Sequence, residues 1–353
     1  MRQNAIAIVG AAASRTNGPE VDTAPIATPS STKSSALVAG ATVEEVRATR
    51  TEYHPVVLRD EQVSDRARRL ANAIEPVVGQ VYFSPECHEE YVALGFSPSP
   101  AAVEGVALPD GPAYFTSRGS LLGHVPGELV ASAFAVFNPE IVVPCVQQGW
   151  ALTDAATICE ARTRGAVAQL VRILGEKPDG IDRANELLAK AVAPLRPEGK
   201  PLYAGVLAQG LPGDPIGDFW RRGDQLREYR GDAHTAAWTV AGFDATEIGL
   251  LTELFWGLPM RSYIRSRAWS DPQLDAAEAR LEARGLLEGG DFTDEGRALR
   301  GEVELNTDRQ MRPAIEALGD DFDELVGIIE PWSAAVRDAG GYIKSTVQLT
   351  GAR

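Results

Sequence analysis

The chain is poor in the residues that build the commonest site chemistries. Its three cysteines, Cys87, Cys145 and Cys159, are odd in number and lack paired spacing, which argues against a disulfide framework and fits a reducing compartment. Its four histidines, His54, His88, His124 and His234, stand apart without the HxxxH spacing of a zinc enzyme, so no metal is expected. GxSxG, a Walker loop, GxGxxG after a strand and CxxC are all absent, which argues against Rossmann and P-loop enzymes and leaves no cofactor to expect. No apolar run approaches the roughly 20 residues of a transmembrane helix. Positive charge is also scarce, with 34 Lys and Arg against 49 Asp and Glu and a net charge of -15. That balance disfavours nucleic acid and anionic lipid as partners and leaves a small molecule as the expected one.

What is present is ordinary globular material, 353 residues with 44% hydrophobic and 24% charged side chains, enough to bury a core. Arg2 and the run Ala5–Ala13 bear a faint likeness to a signal peptide, but the run is short and has no Leu or Phe, so a cytoplasmic protein is expected. From Ser14 to about Thr42 the chain is Ser, Thr, Ala, Gly and Pro with few large apolar residues, and 1–60 reads as a flexible extension. Within it, Thr42 and Glu45 have capping-box spacing. The body divides into an expected helical domain at 61–200 and a second domain at 201–353.

Helical periodicity dominates both. Ser64 is placed to cap a first helix, Glu86, Glu89 and Glu90 suit the first turn of another, and further helices are expected at 126–136, 139–147, 154–174, 180–193, 218–243, 245–255, 271–285, 306–318 and 321–339. The segments 94–134 and 241–281 share a loose order of helices and an aromatic ahead of a Ser-Arg pair, which hints at duplication.

Three clusters could carry chemistry. On the helix through 226–238, Arg227, Gly231, His234 and Trp238 fall on one stripe with Arg230 at its edge, and Glu228 and Asp232 form a neighbouring acidic stripe. Gly231 costs about 1 kcal/mol against Ala in a helix interior, so it suggests close approach of a backbone or ligand. A histidine among carboxylates suits acid-base work: His234 would be the catalytic group, Asp232 or Glu228 its orienting carboxylate, and Arg118 and Arg230 the anion holders. The second cluster is Tyr82, Phe83, Glu86 and His88, and the third is Tyr114 and Arg118. Internal ion pairing explains each cluster alone; a shared, mostly apolar pocket explains why all three lie beside aromatics.

The stretch Ala277–Glu304, AEARLEARGLLEGGDFTDEGRALRGEVE, resembles the recognition-helix end, wing and following helix of the MarR-like winged-helix family. Across about 65–331, the segments YFSPE, YFTSR, LREYRGDAHTAAW and RGLL also resemble an actinobacterial family of helix-turn-helix proteins. These resemblances imply a mainly α, winged-helix-derived fold with small β-wings, and the MarR likeness implies a homodimer; neither implies an activity. The charge runs against groove reading. Asp271, Asp275, Glu278 and Glu282 outnumber Arg280 and Arg284 on the would-be reader helix, and Glu288 and Asp291 flank the wing tip. The expectation is therefore a protein that binds or transforms a small molecule on a scaffold that has left DNA. The alternatives are a ligand-responsive regulator and a structural or interaction protein.

Overall fold

Helix α1 (Asp60–Gly79) opens the computed structural model, which describes residues 58–103 and 105–343. The expected extension, 1–60, lies outside the described residues up to 57, as does its Thr42/Glu45 box, and its last three residues belong to the folded body: Leu58 is buried and Asp60 opens α1. Ser64 does not cap α1: it sits inside the helix and donates to Asp308 Oδ2 at 2.6 Å. A 3-10 turn then leads to α2 (Pro85–Ala93), capped by Ser84 accepting from the Cys87 amide. Next come a two-residue-strand hairpin, β1 (Ala102–Val103) and β2 (Val106–Ala107), and α3 (Gly111–Gly119), capped by Asp110. Helices α4 (Gly127–Phe134), α5 (Pro139–Trp150), α6 (Ala155–Leu174), α7 (Ile181–Val192) and α8 (Pro201–Ala208) follow, and α5 and α8 begin with Pro, where its missing N–H costs nothing.

The spine is α9 (Pro215–Val240), along which α1, α6, α7, α8 and α12 pack. Beyond it lie α10 (Ala245–Phe255), α11 (Asp271–Ala283), the hairpin β3 (Leu287–Glu288) and β4 (Asp291–Phe292), α12 (Asp294–Gln310), α13 (Arg312–Leu318) and α14 (Phe322–Asp338). The helix expected to start at Asn306 is thus two, since 306 falls inside α12. The fold is mainly α with small hairpins. No described helix is long and apolar enough to cross a membrane.

The largest core joins α1, α6, α7, the first part of α9, α13 and α14 around Leu70, Trp220, Phe219, Phe322 and Ile329. A second gathers Trp238 from the end of α9 with Leu250, Leu274, Leu281 and Leu286. A third, aromatic one joins Phe115, Phe134 and Phe137 between α3 and α5.

One motif occurs twice. After α2, the Gly95 amide donates to Val92 O at 2.9 Å and the Phe96 amide to Tyr91 O at 3.2 Å, with Gly95 at φ 98°. After α11, the Gly285 amide donates to Glu282 O and the Leu286 amide to Leu281 O, both at 2.9 Å, with Gly285 at φ 69°. Both are Schellman caps, and a hairpin and an N-capped helix follow each. The pattern of helix, hairpin and capped helix therefore recurs at 85–119 and 271–310, in a register different from that of 94–134 and 241–281. In the latter register Tyr114–Arg118 belongs to α3, behind its hairpin, while Tyr263–Arg267 lies ahead of α11. Gly165 on α6 lets Cys87 pack so closely that an added Cβ would meet Cys87 Cα at 2.5 Å, so α2 lays its Cys87–His88–Tyr91 face on α6 and leaves Glu89, Val92 and Ala93 exposed.

Candidate functional site

Helix α9 sends Arg227, Glu228 and Asp232 inward, the first two toward α1 and α3. Glu228 is buried and accepts two hydrogen bonds from Arg118, Nε to Oε1 at 3.0 Å and Nη2 to Oε2 at 2.7 Å. It also accepts from Arg227 Nη1 at 3.1 Å and from the Tyr82 hydroxyl at 3.3 Å. Burial works to raise the Glu228 pKa, but Arg118 and Arg227 outweigh it and hold the carboxyl down at about 2. Burial pushes the Tyr82 hydroxyl up to about 12. Arg227 turns its other edge to Glu75, at 2.9 and 3.2 Å, and Glu75 accepts from Tyr342 at 2.9 Å. Tyr114 closes the group edge-on to Tyr82, ring centroids 5.2 Å apart, and Arg118 lies 4.7 Å from the Phe134 ring centroid.

Five of the expected site residues, Tyr82, Tyr114, Arg118, Arg227 and Glu228, therefore meet. The others do not join them. Phe83 packs edge-on to Tyr342, Glu86 binds Ser84 and Arg172, and the His88 ring bonds the Tyr82 carbonyl at 3.1 Å. Trp238 belongs to the second core.

Arg230 forms a separate group with α12 and α1, donating to Glu304 at 2.6 Å and Asp308 at 2.9 Å, while Arg68 and Ser64 also bind Asp308. His234 lies beside this group with Nδ1 3.0 Å from Thr307 Oγ1. The carboxylates expected to orient it point elsewhere: Glu228 to Arg118, and Asp232 to α8. Burial, reinforced by Arg300 and Arg230, pushes His234 down to about 3, so the imidazole is uncharged at neutral pH.

Asp232 performs a local task first. The N-cap of α8, Lys200, offers no side-chain cap, and Asp232 Oδ2 accepts the Tyr203 amide at 3.0 Å in its place. The same carboxyl lines a cleft of about 240 Å³ between α4, α8 and α9, together with Ser132, Pro201, Thr235 and Thr239. Burial raises its pKa to about 6; the Glu228 charge adds to this and Arg118 opposes it. The cleft thus has a readily protonated acid on its wall and the Arg118–Glu228 pair as that acid's electrostatic neighbour.

Gly231 departs from expectation. It is exposed, and an added Cβ would meet only Glu228 Oε2 at 3.8 Å, so no backbone approaches it. Close approaches lie instead at Gly165 and at Gly149, where a Cβ would fall 1.8 Å from Thr116 Oγ1. Glu75, Glu304 and Asp308, the partners that fix the arginines, come from distant helices and carry no local sequence signal.

On α11 the charges are tied. Arg265 binds Asp271 at 2.6 Å, Arg261 binds Asp275 at 2.6 Å and also Glu278, and Glu247 holds Arg280 and Arg284 at 3.0 and 3.3 Å. The exposed positions of the helix are Asp271, Pro272, Asp275, Ala276, Ala279, Arg280, Glu282 and Ala283, three acids against one arginine.

A mainly helical fold with a repeated helix, hairpin and capped helix defines the class of protein. The chain belongs to the helix-turn-helix family, whose model matches residues 67–343, more than half of its length. No curated protein and no solved structure matches it.

Proposed function

We propose that this protein binds a small molecule in the α4–α8–α9 cleft, on a MarR-like winged-helix scaffold that no longer reads DNA. Asp232 carries the reading. It is a buried carboxyl with a pKa near 6 on the wall of a cleft, and it can donate or accept a hydrogen bond near neutral pH. Ala133, Pro201, Ala236 and Val240 make the rest of the wall largely apolar, and the Thr235 and Thr239 hydroxyls donate to backbone carbonyls of α9. That suits a compact, largely apolar, uncharged ligand with one polar group for Asp232. The acidic outer face of α11 and the pairing of its neighbouring arginines support the loss of groove reading, because phosphate contacts need free Lys and Arg.

Native mass spectrometry of the protein from its own host tests the ligand. A bound mass present in the wild type and lost in Thr235→Trp, which fills the cleft, is expected; equal occupancy of both would sink the cleft as the site. Fluorescence anisotropy with a random duplex at low salt tests the rest, with no binding expected.

Family membership favours a second reading, a ligand-responsive regulator. It requires tight, salt-sensitive binding in the anisotropy experiment. A homodimer accompanies the MarR likeness in either reading, and light scattering of the full chain reads it directly.

A further inference from the structure

The cleft between α4, α8 and α9 presents acceptors and few donors. Thr235 donates its hydroxyl to Gly231 O at 3.2 Å and Thr239 donates to Thr235 O at 2.7 Å, so each offers only lone pairs to the cleft. Asp232, 4% exposed, accepts the Tyr203 amide through Oδ2, which leaves most of the lone pairs of a carboxylate unspent. With its pKa near 6 the carboxyl is ionised at pH 8 and has no proton to give. Ser132 and Gly199, the other polar positions of the lining, are exposed and keep water as a partner. Lys200 is buried beside the cleft with its charge engaged: Nζ donates to Gln310 Oε1 at 2.8 Å and lies 4.8 Å from the Tyr229 ring centroid, and the Asp232 charge favours its protonated form.

These features sort ligands by their polar group. A carboxylate or phosphate meets the Asp232 charge with no cation on the lining to hold it. A ketone, an ether or an amide carbonyl brings lone pairs against lone pairs. An alcohol gives one hydrogen bond but carries an oxygen whose own lone pairs go unmatched away from the exposed rim. An ammonium would lose its hydration in a largely apolar cleft whose carboxylate already has Lys200 as a neighbouring cation. A neutral N–H group without lone pairs satisfies all of these limits. Size narrows the class further: a dry cavity of about 150 Å³ takes up benzene, so a cleft of about 240 Å³ has room for on the order of ten non-hydrogen atoms. Resting on the reading of this cleft as a ligand site, we propose that its ligand is a neutral, fused aromatic N–H heterocycle of the indole type, which donates to Asp232 and lays its rings against Ala133, Pro201, Ala236 and Val240.

Isothermal titration calorimetry of the full chain at pH 8 with indole and with benzofuran tests this. Benzofuran keeps the size and flatness and puts an acceptor oxygen where indole has its N–H. The wild type should bind indole about tenfold or more tightly than benzofuran, the margin expected for a hydrogen bond to a charged acceptor. Asp232→Asn, which can still accept the Tyr203 amide and can turn N–H groups to the ligand, should remove or reverse that preference. Should Asp232→Asn fail to fold, Thr235→Val, which takes a lone-pair oxygen off the lining, must narrow it. An indole preference unchanged in Asp232→Asn overturns the proposal. Equal affinities for the two compounds, both lost in Thr235→Trp, overturn the N–H assignment and leave the cleft as a ligand site. If neither compound binds while native mass spectrometry still finds a mass that Thr235→Trp loses, the cleft stands and the indole class falls. Indole binding untouched by Thr235→Trp overturns the cleft itself.

Discussion

Arg118 clasps Glu228 with two parallel hydrogen bonds, 3.0 and 2.7 Å long, across the junction of α3 and α9. Because Glu228 is almost fully buried, removing its partner leaves a carboxylate in the interior. Arg118→Met should destabilise the protein by about 3 kcal/mol or more, the usual cost of breaking a buried pair from one side. Adding Glu228→Gln should restore part of that loss, since Arg227 alone then faces one carboxylate, Glu75, instead of two. Urea unfolding of the two single variants and the double variant gives the coupling directly; independent, additive losses would show that the pair is not a unit.

Two glycines in helices should respond to alanine in opposite directions. Gly231 is exposed in the interior of α9 with space around it, so Gly231→Ala should stabilise by about 0.5–1 kcal/mol. Gly165 on α6 rests against Cys87, and Gly165→Ala should cost about 1–3 kcal/mol because α2 must move away. Chemical denaturation of the pair distinguishes them, and destabilisation by Gly231→Ala would mean that something approaches that face.

The helices were legible because their ends are written locally. Asp110, Asn138, Asp154, Asp214, Asp244 and Thr293 each sit at an N-cap, and the Schellman glycines Gly95 and Gly285 mark where two helices stop. The site was only half legible. Tyr82, Tyr114, Arg118, Arg227 and Glu228 carry chemistry dense enough to be picked out, and they do assemble. The sequence distance to their partners defeated the rest: Arg227 finds Glu75 across 152 positions and Arg230 finds Asp308 across 78. Adjacency on α9 made His234, Asp232 and Glu228 look like one device. The helix instead distributes them to α12, α8 and α3: Asp232 and His234, two apart, do not face each other, and Glu228 and Asp232, four apart on one stripe, reach different neighbouring helices. The buried ion pair of Arg162 and Asp224 escaped notice because each residue stands alone in an unremarkable helical stretch, and only the packing of α6 on α9 joins them.

Asp232 has two separable roles, as cap of α8 and as a titrating carboxyl. Its folded pKa, about 6, lies above its ordinary value of 3.8. Its contribution to stability is therefore fully present below pH 3.8 and is lost as pH rises through about 6. Asp232→Asn removes the charge and can still accept the Tyr203 amide, so it should equal or exceed wild-type stability at pH 8. Asp232→Ala loses the cap and should cost about 1 kcal/mol relative to the Asn variant. Unfolding midpoints of the three proteins at pH 5 and pH 8 check this; an Asn variant that is weaker at pH 8 would mean that the carboxylate is needed ionised.

His234 titrates with the opposite sign. Burial, Arg300 and Arg230 hold its folded pKa at about 3, below the ordinary 6.5, so the protonated form is disfavoured in the folded state. Its contribution is present above pH 6.5 and is lost as pH falls toward 3, with a slope approaching about 1.4 kcal/mol per pH unit for one proton. Between pH 6 and 4 this loss opposes the gain from Asp232, so the wild-type profile alone conceals both. His234→Gln retains a hydrogen-bonding group toward Thr307 and removes the titration. It should stay close to the wild type at pH 8 and lose stability less steeply on acidification, by up to one proton's worth of slope. The comparison is cleanest in the Asp232→Asn background, where the opposing carboxyl is absent. Parallel acid limbs for Asp232→Asn with and without His234→Gln would show that the imidazole already takes up its proton in the folded protein. The Glu304 charge, which favours the protonated ring, would then outweigh burial and the Arg300 and Arg230 charges that oppose it.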